Sequence, residues 1–411
     1  MDSKEIRFSE IYKIPSSNGL SRPSAVRGLG FRMINMGELF SNDIINDMDM
    51  ERVQMSDKEK EKYLVEEGDL LFARQSLVAA GAGKCSIVGN LKEQTTFESH
   101  LIRVRLDKTK ANPWFYFYYF KLQNNPIKTI VNQCAQAGIR GTELARVKIL
   151  FVDKYYQDKI AEVLTSYDRL MENNSKRIRL LEDIAEKIYK EWFVRYRFPG
   201  YKNCKFEAGL PTDEWYWYKL EEIVTIDRGI SYSSEEIDCD DGVDLINLKN
   251  IQSFGGFRND GTKKYSGKYK REQVVKTGDL VMGVTDMTQD RRTVGSVALI
   301  PIIHNISVIS ADLIKINSEI NNVFLYSMFR FGNISRYISQ FANGANVLHL
   351  RPQVVNKIKV YLPPQNLIDS YSKMVQPIIS EIDILNEKNA NLTKQRNLLL
   401  PRLMSGKLEI K

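Results

Sequence analysis

Several short strings recur in order along the chain, at an offset of 210 to 212 residues. Gly30-Phe-Arg-Met-Ile-Asn-Met36 aligns with Gly242-Val-Asp-Leu-Ile-Asn-Leu248, and Gly68-Asp69-Leu70 with Gly278-Asp279-Leu280. His100-Leu-Ile-Arg-Val104 aligns with Asp312-Leu-Ile-Lys-Ile316. Ile139-Arg140 and Val147-Lys-Ile149 align with Leu350-Arg351 and Ile358-Lys-Val360. Solenoids repeat every ~20–50 residues, so this period describes a duplicated domain and not a stack of small units. The 411 residues are ample for two such halves.

Each half reads as a mixed lobe followed by a helix. Short β-branched or alternating runs (Leu101–Leu106, Val294–Ile303, Asp312–Ile316) lie between glycine-bearing turns and predict strands. One helical stretch interrupts them in each half, Trp114–Leu122 and Val323–Phe331. The expected class is α+β, without a doubly wound sheet. After the first lobe, Ile160, Leu164, Tyr167, Met171, Asn174, Ile178, Leu181, Ala185, Ile188 and Trp192 step alternately by four and three. After the second, Ile368, Tyr371, Val375, Ile378, Ile382, Leu385, Asn389, Leu392, Arg396 and Leu399 do the same. Such heptads predict two helices of about 50 Å at 1.5 Å per residue. Two amphipathic helices each packed on its own lobe would also show apolar stripes. Ten heptad positions in each favour a shared antiparallel seam with a pseudo-two-fold axis. Asn174 and Asn389 are expected to face one another and set its register.

Composition excludes more than it assigns. The four cysteines (Cys85, Cys134, Cys204, Cys239) and three histidines (His100, His304, His349) are scattered, which argues against a disulfide framework or a metal site. The N-terminus has no apolar signal core, and no run is long enough to cross a bilayer. A reducing cytoplasm is the expected home. The net charge of +8 is thinly spread and points only weakly to a polyanion.

Ala185-Glu-Lys-Ile-Tyr-Lys-Glu-Trp-Phe-Val-Arg-Tyr-Arg-Phe-Pro-Gly200 resembles the central conserved region of the specificity subunits of type I restriction–modification systems. Trp215–Leu220 resembles the start of their second recognition domain. Leu398-Leu-Leu-Pro-Arg-Leu-Met-Ser-Gly-Lys-Leu-Glu409 resembles their distal conserved region. The resemblance implies target-recognition domains at 1–152 and 199–363, with helical regions at 153–198 and 364–411. It implies that each domain is placed on one half of a split, asymmetric sequence in double-stranded DNA. Two modification subunits would bring S-adenosylmethionine and adenine-N6 methylation, and a restriction subunit would complete the complex. No cofactor is expected in this chain itself, and no membrane partner.

A search for catalytic chemistry agrees with a non-catalytic role. An adenine methyltransferase carries an Asp/Asn-Pro-Pro-aromatic loop; the nearest string, Asn112-Pro113-Trp114-Phe115, lacks the second proline and opens a helix. The aromatic run Trp114–Phe120 reads as core before it reads as a base-stacking surface. Gly81-Ala-Gly-Lys84 lacks the upstream glycine and the Ser/Thr of a phosphate loop. Glu235–Asp244 lacks cation-loop spacing and reads as a solvated loop.

Base readout needs Arg or Lys for guanine, Asn or Gln for adenine, and short polar side chains on loops. The turns after each Gly-Asp-Leu step qualify: Arg74-Gln75-Ser76, and Thr285-Asp286 through Arg291-Arg292. So do the segments before each final strand, near Arg140 and near Asn343, Asn346 and His349. Arg22 and Arg27 lie on an early loop suited to phosphate. Competing readings are a self-contained methyltransferase or nuclease, a coiled-coil scaffold without DNA contact, and a silent specificity allele.

Overall fold

The computed structural model describes residues 3–23, 27–76, 81–131, 137–237 and 241–408. They fall into two compact units: Met1–Leu170 with Leu392–Lys411, and Met171–Asn391.

In the first unit, Tyr12–Asn18, Leu101–Leu106, Leu70–Ala73, Cys85–Val88 and Ile44–Ile45 form a five-stranded sheet in that order. A second sheet has the order Arg52–Val53, Arg27–Ile34, Thr95–Phe97, and Ser3–Arg7 pairs with Lys148–Val152. The second unit repeats this plan. Its main sheet runs Thr225–Arg228, Leu313–Asn317, Leu280–Gly283, Val297–Leu299. The neighbouring sheet contains Lys263–Tyr265, Val243–Ile246 and Ser307–Ile309, and Tyr216–Lys219 pairs with Lys359–Leu362. Even the parallel pairings correspond: Met33 opposite Thr96 in one unit, Leu245 opposite Val308 in the other.

The repeated strings explain why. Gly68 and Gly278 adopt φ of +91° and +86°, which only glycine reaches without cost. The following aspartates close the turn, Asp69 accepting from the Glu66 N–H and Asp279 from the Lys276 N–H, each at 2.9 Å. Arg103 and Lys315 also correspond. Each is a buried cation bonded to carbonyls of an adjoining segment, Lys62 and Leu64 for Arg103, Val274 for Lys315.

Local expectations hold with shifted ends. Pro113–Tyr119 is helical because the Asn112 side chain accepts from the Trp114 and Phe115 N–H groups and proline occupies the first turn, an arrangement that favours initiation. Phe115 and Tyr116 are fully buried, so this helix is core. The run Val294–Ile303 supplies only the strand Val297–Leu299. Gly295, at φ +79°, bonds back to the Gly283 carbonyl and turns the chain first. Glu235–Asp244 is not a loop throughout: Ser234–Glu236 is a 3-10 turn and a strand begins at Val243, while residues 238–240 lie outside the described ones.

The long helices are Lys154–Tyr189, continued by a π turn over Lys190–Val194, and Gln365–Met404. Every heptad residue named above is buried or half-buried. In the first unit Ile160, Ala161 and Leu164 share a core with Leu400, Leu403 and Met404, and Arg396 pairs with Asp168, which also accepts from the Tyr118 hydroxyl. In the second, Tyr189, Trp192 and Phe193 pack around Tyr371. Asn174 Nδ2 donates to Asn389 Oδ1 at 2.9 Å, and Arg177 pairs with Glu381 at 2.8 Å. As the residue number rises from 174 to 177 its partner's falls from 389 to 381, so the helices run antiparallel there.

Candidate nucleic-acid interface

In each unit the strand after the Gly-Asp-Leu step continues into a short second strand, which pairs with the segment just before the final strand. In the first unit, Gln75 lies opposite Gly138 and Ser76 opposite Ala137. In the second, Thr285 lies opposite His349 and Asp286 opposite Leu348. The flanking main-chain bonds match as well. Arg74 N–H donates to the His100 carbonyl at 2.8 Å and Ile139 N–H to the Arg74 carbonyl at 2.9 Å. Val284 N–H donates to the Asp312 carbonyl and Leu350 N–H to the Val284 carbonyl, both at 2.8 Å. Segments far apart in sequence are thus joined into one platform, once per unit.

Side chains on the two platforms differ. In the first unit Arg74, Gln75 and Ser76 are half-buried and Arg140 is exposed. Arg22 and Arg27 sit together away from that pairing: Arg27 donates to the Arg22 carbonyl at 3.1 Å, Arg22 pairs with Glu59, and Arg27 with Glu51. Contact with a phosphate would require these arginines to share or leave their carboxylates.

In the second unit Thr285 and Asp286 are only 5% and 2% exposed. Thr285 Oγ1 donates to Asp312 at 2.9 Å. Asp286 accepts from the N–H groups of Thr288 (2.9 Å), Thr293 (2.7 Å) and Val294 (3.3 Å), and from the Thr288 hydroxyl. Burial opposes its ionisation, but the amides of Thr293 and Thr288 outweigh it and hold the carboxyl below its ordinary range. These two residues, expected from sequence to face outward, instead hold the loop over 287–293 in shape. That loop presents exposed Met287, Gln289, Arg291 and Arg292, with Arg292 paired to Asp290 at 2.6 Å. Gln289 Nε2 donates to the Ala345 carbonyl at 2.9 Å, tying the loop to the hairpin on which Asn343, Asn346 and His349 are exposed. Gln289 lies inside the turn that the sequence points to, Thr285 through Arg292, although the sequence alone does not single it out.

Cys85 is buried and its thiol is pushed up by burial; Cys204 is half-buried, and Cys134 and Cys239 lie outside the described residues. No group of three or more potential metal ligands, and no helix long and apolar enough to cross a membrane, occurs among the described residues.

Residues 10–183 match the family described as "Type I restriction modification DNA specificity domain". Over those residues the chain is similar to that family, and the match spans somewhat less than half of its length. Among its relatives is the MjaIX specificity subunit of a type I restriction enzyme from Methanocaldococcus jannaschii. It is 24% identical over 313 residues, covering 72% of this chain and 68% of the relative. The HindI specificity subunit of Haemophilus influenzae is 21% identical over 437 aligned positions, covering 91% and 94%. The crystal structure of a type I restriction–modification S subunit from M. genitalium superposes with a TM-score of 0.59 at 13% identity. It covers 98% of this chain and 96% of that one, and shows a shared fold. The resemblance carried by the helical motifs therefore extends to recognised relatives and to the architecture, and the role it supports is that of a specificity subunit.

Proposed function

We propose that this chain reads a bipartite, asymmetric DNA site, one half through each unit, and serves as a non-catalytic docking frame for two modification subunits. The observation that carries the reading is the duplicated platform: the same main-chain pairing in both units, bearing different exposed side chains. A duplicated scaffold with diverged side chains suits two unlike half-sites, just as identical subunits suit palindromes.

In the first unit Arg74, Gln75, Ser76 and Arg140 are the candidate readers. In the second they are Arg291, Arg292, Asn343, Asn346 and His349, while Thr285 and Asp286 position the loop. Arg and Asn/Gln side chains match guanine and adenine edges in the major groove. The methyl-transfer chemistry and S-adenosylmethionine belong, in this reading, to the modification subunits, and DNA cleavage to a restriction subunit. Asn174 and Asn389 fix the register of the helical seam.

Co-expression with the cognate modification subunit, followed by genome-wide mapping of N6-methyladenine, tests it. The expected result is one split motif, dependent on this chain and altered in one half when one unit is exchanged. A stable complex that never methylates would indicate a silent allele. Absence of any complex would return the chain to a scaffolding role.

A further inference from the structure

In each unit a groove opens beside the segment that follows the platform strand, and of the readers above only Arg291 lines one. In the second unit it encloses about 600 Å³ beside the end of helix Asn322–Phe331 and the short helix Ile334–Ser339. In the first it encloses about 550 Å³. Val294, Ser296, Asn333, Ser335, Ser339 and Gln340 line the former; subtracting 212 gives Ala82, Lys84, Lys121, Gln123, Ile127 and Lys128, all of which line the latter. The groove is part of the duplicated plan.

Its charge persists while its residues change. The first unit's groove has Lys84, Lys121 and Lys128; the second unit's has Arg291, Arg330 and Arg336. Lys84 and Lys121 are engaged by Asp43, and Arg330 by Glu182. Lys128, Arg291 and Arg336 make no ion pair among the described residues, and all three are exposed. Each groove therefore keeps at least one uncommitted cation.

The second groove also concentrates unfavourable local structure. Phe254, Arg291 and Asn333 hold φ of +64°, +55° and +63°, and all three line it. Backbone of this kind is strained and gathers at ligand sites. Phe254 is fixed there by its N–H bond to the Arg292 carbonyl, 2.8 Å, and keeps its ring 66% exposed. The Ser335 hydroxyl, on a residue 8% exposed, has no hydrogen-bond partner among the described residues although it lines the groove.

We infer that the two grooves are duplicated phosphate clamps, each gripping the sugar–phosphate backbone of duplex DNA through Lys128 in the first unit and Arg336 in the second. This rests on the DNA-reading function proposed above. Separating grip from readout is physically sensible, because backbone contacts set affinity and register without carrying sequence information.

The test uses the purified full chain and a duplex of random sequence, with binding followed by fluorescence anisotropy from low to moderate salt. Each lost phosphate contact reduces the steepness of log K against log salt by about 0.9. Arg336→Gln and Lys128→Gln should each lower it by about that amount, and the double variant by about twice as much. Arg336→Lys and Lys128→Arg should keep the wild-type slope, which guards against a mere folding defect. If wild-type chain binds with a clear salt slope that the glutamine variants leave unchanged, the clamps are refuted and the DNA-reading function stands. If wild-type chain shows no salt-dependent binding, both fall.

Discussion

The two reading platforms share a backbone and differ in what their strand side chains do. Gln75 and Ser76 are half-buried, whereas their counterparts Thr285 and Asp286 are buried and absorbed into the loop that follows. The converse holds one step earlier in the chain. Asp69 is 1% exposed and accepts a bidentate pair from Arg105, both contacts at 2.7 Å; Asp279, its counterpart, is half-buried and only closes the turn. Each unit thus buries one aspartate along this stretch, at opposite ends of the strand: Asp69 just before Leu70–Ala73, Asp286 just beyond Leu280–Gly283. Duplication preserved the main-chain plan and left open where the internal charge anchors sit.

The sharpest way to break this comparison is at the Gly-Asp-Leu aspartates. Asp69→Ala removes the bidentate partner of Arg105, leaving it Glu66 and the Leu64 carbonyl, and should cost about 2–4 kcal/mol, while Asp279→Ala should cost only about 1 kcal/mol. Urea unfolding of the purified variants measures both, and equal losses would refute the asymmetry. The reverse is expected on the platforms. Asp286→Ala should cost about 2–4 kcal/mol and, on the function proposed above, abolish methylation at the half-site assigned to that unit; Ser76→Ala should stay within about 1 kcal/mol.

The helices offer a smaller contrast. Asp168 is met by Arg396, but burial pushes Asp383 up to about 6 from an ordinary 3.8. Asp383 shares its cavity with Arg179, Glu182 and Arg330. A carboxyl raised on folding binds more protons folded than unfolded, so its contribution to stability falls as pH rises from about 4 to 6. Asp383→Asn should remove that decline and raise stability at pH 8 by about 1–3 kcal/mol. Thermal unfolding across pH would reveal it, and an unchanged pH profile would sink the assignment. The smallest effect belongs to the Asn174–Asn389 pair. Replacing both by Leu should raise stability by about 1 kcal/mol while loosening register, since buried polar pairs trade stability for specificity.

Sequence reasoning went furthest where one residue type has one physical use. Gly68 and Gly278 announce a positive φ, Asn112-Pro113 a helix start, and the heptads the half-buried faces of both long helices. It went least far where the outcome depends on which distant segment arrives. Asp286 looks like any polar turn residue until the Thr293 and Val294 amides fold over it. Arg22 looks free until Glu59 meets it. The grooves were invisible for a related reason: their basic residues come from segments distant in sequence that only the fold brings together. Exposed side chains that read a ligand carry no periodicity, and only the platform beneath them does.

That platform is held by peptide groups and not by the side chains it displays. The bonds from Arg74 and Ile139, and from Val284 and Leu350, use only N–H and C=O. Nineteen of the twenty amino acids can supply such a donor, but Ile139, Val284 and Leu350 are core residues, so it is at their exposed neighbours that side chains can change while the main-chain pairing holds. Proline is barred at all four sites. On the function proposed above, the molecule is built to be re-specified: its address can drift one exposed side chain at a time while the frame that carries it stays closed.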